Sequence, residues 1–268
     1  MPDKENISRS LLLVAAVFLI CGCGVLAATA YLNGSQSEPN NDWETMSEQE
    51  QESFVRNVSF ANAILDKRAV ASAFAESENS YKSLAMGSED ELIYGKREAR
   101  YIVTEYSDIE CPACRFYYPF TKQLIDKYQD EVALSFKYYP LPFHDPVATE
   151  ETAAAICVGK FKGKAAEFAV VDRLFADTRS NGEGSELLSK IPEAFGIDKS
   201  KFQKCIEDPN THEIIAQYKA DGDQAEISGT PTLVFIDTVT GNKLTAGGGN
   251  LEQLEQHLNK LKEVEDAR

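Results

Sequence analysis

Positive charge is scarce in this 268-residue chain: 27 lysines and arginines stand against 43 aspartates and glutamates, a formal net charge of −16. Such a surface repels polyanions, which argues against nucleic acid as a partner. Histidine is scarcer still. The three, His144, His212 and His257, are scattered, and only one Cys-x-x-Cys is present, so the second ligand pair that tetrahedral zinc requires is missing. No internal repeat is found. Nor is the chain a disulfide-stapled miniprotein, because 268 residues with 43% hydrophobic content can bury a full core.

Basic residues are also missing between Arg9 and Arg56, and this gap contains an uncharged apolar run at residues 11–32. The run is long enough to cross a bilayer as a helix. With Lys4 and Arg9 before it, the positive-inside rule places the N-terminus in the cytoplasm and the remainder outside it. An uncleaved anchor is the expected reading. The Ala-Thr-Ala at 28–30 keeps open a cleaved signal and a soluble periplasmic protein, and Ile20-Cys21-Gly22-Cys23, an imperfect lipoprotein box, keeps open a lipid on Cys23.

Residues 1–10 then form the cytoplasmic start, 11–32 the anchor or signal, and 33–52 a polar, acidic tether. Over 53–90 the repeat of Phe54, Val58, Ala61 and Leu65 predicts an amphipathic helical segment with one buried face. That face has three possible partners: the main domain, a partner protein, or its own copy in a homodimer through residues 50–77.

The main domain is expected over 91–268. Two strands, in Glu-Leu-Ile-Tyr-Gly from Glu91 and in Ala-Arg-Tyr-Ile-Val-Thr-Glu-Tyr-Ser, lead to the Cys-x-x-Cys. Phe116, Phe120, Leu124 and Tyr128 predict a helix from Pro112 to about Lys127, with Pro119 as a kink inside it. Val132, Leu134, Phe136 and Tyr138 alternate as a strand. A helical insertion at about 146–226, a hairpin from Thr230 and a closing helix with Leu251, Leu254, Leu258 and Leu261 on one face complete the pattern, Asn250 and Gln253 forming a capping box.

The chemistry lies in Cys111-Pro112-Ala113-Cys114. A thiol at a helix N-terminus faces unpaired N–H groups and the positive end of the dipole, which favour thiolate over thiol. Cys111 is therefore the expected nucleophile and Cys114, one turn in, the resolving thiol. A structural disulfide is the competing reading in an oxidising compartment, and the strand-to-helix setting weighs against it. His144, in a loop after the second core strand, is expected to be solvated and stays outside the catalytic set.

Strand, Cys-x-x-Cys, kinked helix, strand, then Gly-Thr-Pro-Thr and a final hairpin and helix together resemble the thioredoxin fold over about residues 90–262. The helical insertion resembles the DsbA-like branch, the periplasmic thiol-disulfide oxidoreductases. The resemblance implies an α/β fold with a central mixed sheet flanked by helices. It implies that Pro231 is the cis-proline facing the sulfurs and that Thr230 and Pro231, with Pro112 and Ala113, contact substrate. It further implies that Glu105, six residues before Cys111, is the buried acid that relays a proton for Cys114. Pro119 matches the family's helix kink.

The chain departs from the best-known oxidases in having Pro-Ala where they have Pro-His. Ala113 has no side-chain donor, so a less depressed thiol and a less oxidising disulfide are expected. Cys157 and Cys205 are expected to form a structural disulfide, as some relatives carry in this region. Two free thiols or a second redox pair remain alternatives. The expectation is a membrane-tethered disulfide oxidase, isomerase or reductase acting on exported proteins, with no cofactor, reoxidised or reduced by a membrane redox partner. The rival is a non-catalytic docking protein of an envelope complex.

Overall fold

A computed structural model describes residues 66–87 and 91–266. The apolar run, the acidic tether and the first part of the amphipathic segment lie outside the described residues. No helix among the described residues is long and apolar enough to cross a membrane. The chain divides into two compact units, Met1–Ala69 and Val70–Arg268. Of the first unit only residues 66–69 are described, and they are helical.

Within the second unit, the helix ending at Tyr81 (α1) packs its own apolar face into the core. Phe74 and Tyr81 are fully buried there, and Val70 lies against the same cluster. The compact unit thus begins at Val70 and not near residue 91. Tyr81 stacks on Phe168 of the helical insertion and meets Tyr94 edge-on. Aromatic area of this kind contributes strongly to a core.

Six strands form one mixed sheet in the order β1-β2-β4-β3-β5-β6. They are β1 (Ala85–Met86), β2 (Leu92–Tyr94), β3 (Tyr101–Ser107), β4 (Val132–Tyr138), β5 (Thr232–Asp237) and β6 (Lys243–Gly247). β3 and β4 are parallel, as a strand–helix–strand crossover requires, and every other pair is antiparallel. β3 lies between β4 and β5, and all but one of its residues are buried. This central strand therefore delivers its C-terminal end to the Cys-x-x-Cys from inside the core.

The crossover is helix α2 (Pro112–Lys127), with Pro112 in its first turn and Pro119 inside it. It packs on β4 and on the closing helix α8 (Leu251–Asp266). The capping box of α8 is complete: Gln253 N–H donates to Asn250 Oδ1 and Asn250 N–H donates to Gln253 Oε1, each at 3.0 Å. Leu254, Leu258 and Leu261 are buried beneath it.

Between β4 and β5 come α3 (Val147–Lys162), α4 (Lys164–Asp177), α5 (Ile191–Ala194), α6 (Lys199–Ile206) and α7 (Pro209–Gln224). α3 is buried along most of its length, because α4, α6 and α7 all pack on it. A disulfide joins Cys157 of α3 to Cys205 of α6.

Candidate active site

Cys111 is the N-cap of α2 and Cys114 lies one turn inside it; both are buried, and both are free thiols. The pair is electrostatically unequal. A hydrogen bond from Cys114 is the main force that lowers the Cys111 thiol from 9.0 to about 5, helped by Thr230 and by the amides of Cys114 and Ala113. Burial opposes that shift and loses. Cys114 moves the other way: burial raises it, and the hydrogen bond and charge of Cys111 raise it further. Ala113 thus contributes a backbone donor in place of the side-chain donor it lacks.

Opposite the sulfurs, the Thr230–Pro231 peptide bond is cis. Cys111 Sγ lies 3.4 Å from the Thr230 carbonyl oxygen, a contact in which the protonated thiol is the donor. Pro231 is buried and Thr230 half-buried, while Pro112 and Ala113 are exposed on the rim. Gly248, after β6, completes this side. A Cβ there would lie 2.7 Å from Pro231 Cγ and 2.5 Å from the Tyr117 ring, so only glycine lets the backbone pass this close.

Glu105 of β3 is buried, not at a wet edge, and neither carboxylate oxygen has a hydrogen-bond partner of ordinary geometry. Burial pushes its carboxyl up to about 7, while the Thr121 and Ser107 hydroxyls pull down. Ser107 also acts on Cys114. It is two residues along the strand from Glu105, so the two side chains share a face. One hydroxyl therefore neighbours both the acid and the resolving thiol.

The loop between β3 and α2 is held by residues that sequence reasoning passed over. Asp108 Oδ2 accepts from the Leu141 amide at 2.8 Å and is 2.7 Å from His144 Nδ1, while Oδ1 accepts from the Glu110 amide at 2.8 Å. His144 is buried at 3% exposure, which corrects the expectation of a solvated loop histidine. It is buried because Asp108 satisfies it, a pairing between residues 36 positions apart. Glu110, also buried, accepts from the amides of Gly182 and Gly184 at 2.8 and 3.0 Å and from the Thr178 hydroxyl. The only advance sign of these anchors was two acids directly before Cys111 in Ser-Asp-Ile-Glu-Cys.

Among the described residues no group of three or more His, Cys, Asp or Glu side chains is arranged to hold a metal ion.

A low-pKa helix-capping thiol, a buried partner one turn away and a facing cis-proline define a thiol-disulfide exchange centre on a thioredoxin fold. A family model described as thioredoxin (Thioredoxin_4) matches residues 87–250, and the chain belongs to this family, in its DsbA-like branch. Among solved structures it is similar to Pseudomonas aeruginosa DsbA2, at 28% identity and a TM-score of 0.56, covering 63% of this chain and 92% of that one. It also resembles Wolbachia pipientis alpha-DsbA1 in fold, at 18% identity and a TM-score of 0.55, covering 72% and 100%. Proteins provisionally named protein-disulfide oxidoreductases in Rickettsia felis and Rickettsia bellii are 22% and 24% identical over 160 residues, 58% of this chain. The match spans 56% and 60% of the length of those two relatives.

Proposed function

We propose that this protein is a thiol-disulfide oxidoreductase that donates disulfides to exported proteins. The observation that carries this reading is the split between the two thiols, Cys111 lowered to about 5 and Cys114 raised. A thiolate stabilised in the dithiol form makes the disulfide form the stronger oxidant, and it makes Cys111 a good leaving group.

A substrate thiolate attacks Cys111 Sγ of the Cys111–Cys114 disulfide. The bond between the two sulfurs breaks, a mixed disulfide forms at Cys111, and Cys114 leaves as a thiolate that takes up a proton. Glu105, through the Ser107 hydroxyl, is the source of that proton. A second substrate thiolate then attacks the substrate sulfur of the mixed disulfide, forming the substrate disulfide and releasing Cys111 as thiolate. The enzyme has gained two electrons, and a membrane redox partner removes them.

Two features support a location outside the cytoplasm. One is the apolar run at 11–32 behind its basic start. The other is the Cys157–Cys205 disulfide, a bond that persists in oxidising compartments. Dimerisation through residues 50–77 has less support, since Val70 and Phe74 already face the chain's own core.

The decisive experiment equilibrates the purified domain with glutathione and counts free thiols by alkylation. Disulfide donation requires a potential well above the glutathione poise. A potential near that of thioredoxin would mean a reductase, and no exchange would leave a docking module.

A further inference from the structure

The Asp108 backbone touches both catalytic cysteines. Its amide lies 3.5 Å from Cys114 Sγ, and its carbonyl accepts from the Cys111 amide at 3.0 Å. The orientation of the Ser107–Asp108 peptide, whose carbonyl accepts from the Tyr139 amide at 2.8 Å, therefore determines whether the buried sulfur receives a donor. That bond holds the peptide on its strand side, and the Asp108 side chain holds it on the loop side.

The side chain that holds Asp108 in place, beside the Leu141 and Glu110 amides, is His144. Its Nδ1 donates to Asp108 Oδ2 at 2.7 Å, the shortest of the three hydrogen bonds on that carboxylate, within charge-assisted range. His144 is itself held: its amide donates to the Leu141 carbonyl at 2.9 Å, and the Phe143 ring lies edge-on at 4.5 Å. It is absent from the exchange chemistry above, and a buried histidine joined to a buried aspartate has a desolvation cost that an apolar pair would avoid.

We propose that His144 is a positioning residue for disulfide exchange, holding Asp108 so that its amide keeps donating to the Cys114 sulfur in the dithiol form. The proposal rests on the reading of Cys111 and Cys114 as the redox pair. A donor on Cys114 Sγ polarises its S–H, which strengthens the hydrogen bond that Cys114 gives the Cys111 thiolate. A thiol sulfur accepts better than a disulfide sulfur, so the clamp favours the reduced form over the oxidised one. His144 thus sets oxidising power without touching either sulfur.

The test compares His144→Leu, which fills similar space and cannot donate, with His144→Asn, whose amide nitrogen can stand near the Nδ1 position. Each full-length variant is equilibrated with glutathione, the reaction being protein disulfide plus two glutathione thiols giving protein dithiol plus one glutathione disulfide. For His144→Leu the equilibrium should move about fivefold toward the protein disulfide, about 20 mV for a two-electron couple, with the Cys111 thiolate absorbance titrating at higher pH. His144→Asn should return most of both shifts. A purely structural histidine would destabilise oxidised and reduced forms equally, leaving the equilibrium constant unchanged, and that result overturns the proposal. If His144→Leu does not fold, the wild-type Asp108 amide decides: its proton resonance must move on oxidation of the pair, and an unchanged resonance also overturns it. Failure of wild-type exchange would instead remove the functional reading on which the proposal stands.

Discussion

Tyr81 lies flat on Phe168, ring centroids 4.7 Å apart and planes within 8° of parallel, while its hydroxyl donates to Asp172 Oδ1 at 2.6 Å. The same hydroxyl is 3.0 Å from that of Tyr118 on the active-site helix. One residue thus links the N-terminal helix of the unit to the insertion and to the helix that carries the cysteines. Tyr81→Ala should destabilise the domain by about 3–5 kcal/mol, in the range of large aromatic deletions. Tyr81→Phe, which removes the hydroxyl shared by Asp172 and Tyr118 and keeps the ring, should lose about 1–3 kcal/mol. Urea denaturation of the two variants separates ring from hydroxyl.

The reduction potential should have a pH slope set by one thiol only. With Cys111 ionising at about 5 and Cys114 held protonated, reduction between pH 5 and 8 takes up two electrons and one proton. The slope there is about 30 mV per pH unit, doubling below the Cys111 pKa. The linkage has a definite sign: a thiol lowered on folding stabilises the reduced form fully above the ordinary thiol pKa, and that contribution is lost as pH falls toward 5. Redox titrations at several pH values, read with thiolate absorbance, would expose a different break point.

Replacing either cysteine should divide the reaction. Cys111→Ser should abolish exchange, whereas Cys114→Ser should accumulate a mixed disulfide on Cys111, since no resolving thiol remains. Mass spectrometry of the acid-quenched proteins distinguishes the two, and a stable adduct on Cys114 in place of Cys111 would reverse their roles.

For Glu105, raised to about 7 by burial, the sign of the linkage is opposite. Its penalty is absent below the usual carboxylate range and grows as pH rises toward 7. The oxidised wild-type protein should therefore lose roughly 1–3 kcal/mol more between pH 5 and 8 than Glu105→Gln does. The variant should also slow protonation of Cys114, reducing exchange on the order of tenfold to a hundredfold. Denaturation across pH tests the first effect and stopped-flow thiol release the second.

Removing the Cys157–Cys205 bridge by a double alanine substitution should cost about 2–4 kcal/mol, because it closes a long loop between sites separated by 48 residues. Exchange at Cys111 should persist in the folded fraction, which rapid alkylation after mild reduction would show. Loss of all exchange in a folded variant would make the bridge part of the redox path.

The core of the fold was legible because it is written locally. Alternation in Val132–Tyr138, the spacing from Phe116 to Tyr128 and the Asn250–Gln253 box each depend on neighbours within a few residues. The site was legible where one motif carried it, at Cys111, Cys114 and the proline after Thr230, and in the burial of Glu105 on the strand before them. His144, Asp108 and Glu110 were missed because their meaning arises from convergence: loops at 141–144 and 178–184 close on the residues before Cys111. The helix ending at Tyr81 was half legible. A helical segment was expected there, but the face it buries at Val70, Phe74 and Tyr81 was not read, and the repeat that was read lies outside the described residues.

The loop before Cys111 is anchored from far along the chain, through Asp108 to residues 141–144 and through Glu110 to residues 178–184, while Cys111 itself faces Thr230. Its chemistry is therefore not portable. Moving Cys-Pro-Ala-Cys with its flanking strand and helix into another thioredoxin scaffold would transfer the sulfurs and leave those distant anchors behind. Conversely, changes in the insertion, remote in sequence from either cysteine, are a natural route for retuning the reactivity of this cysteine pair.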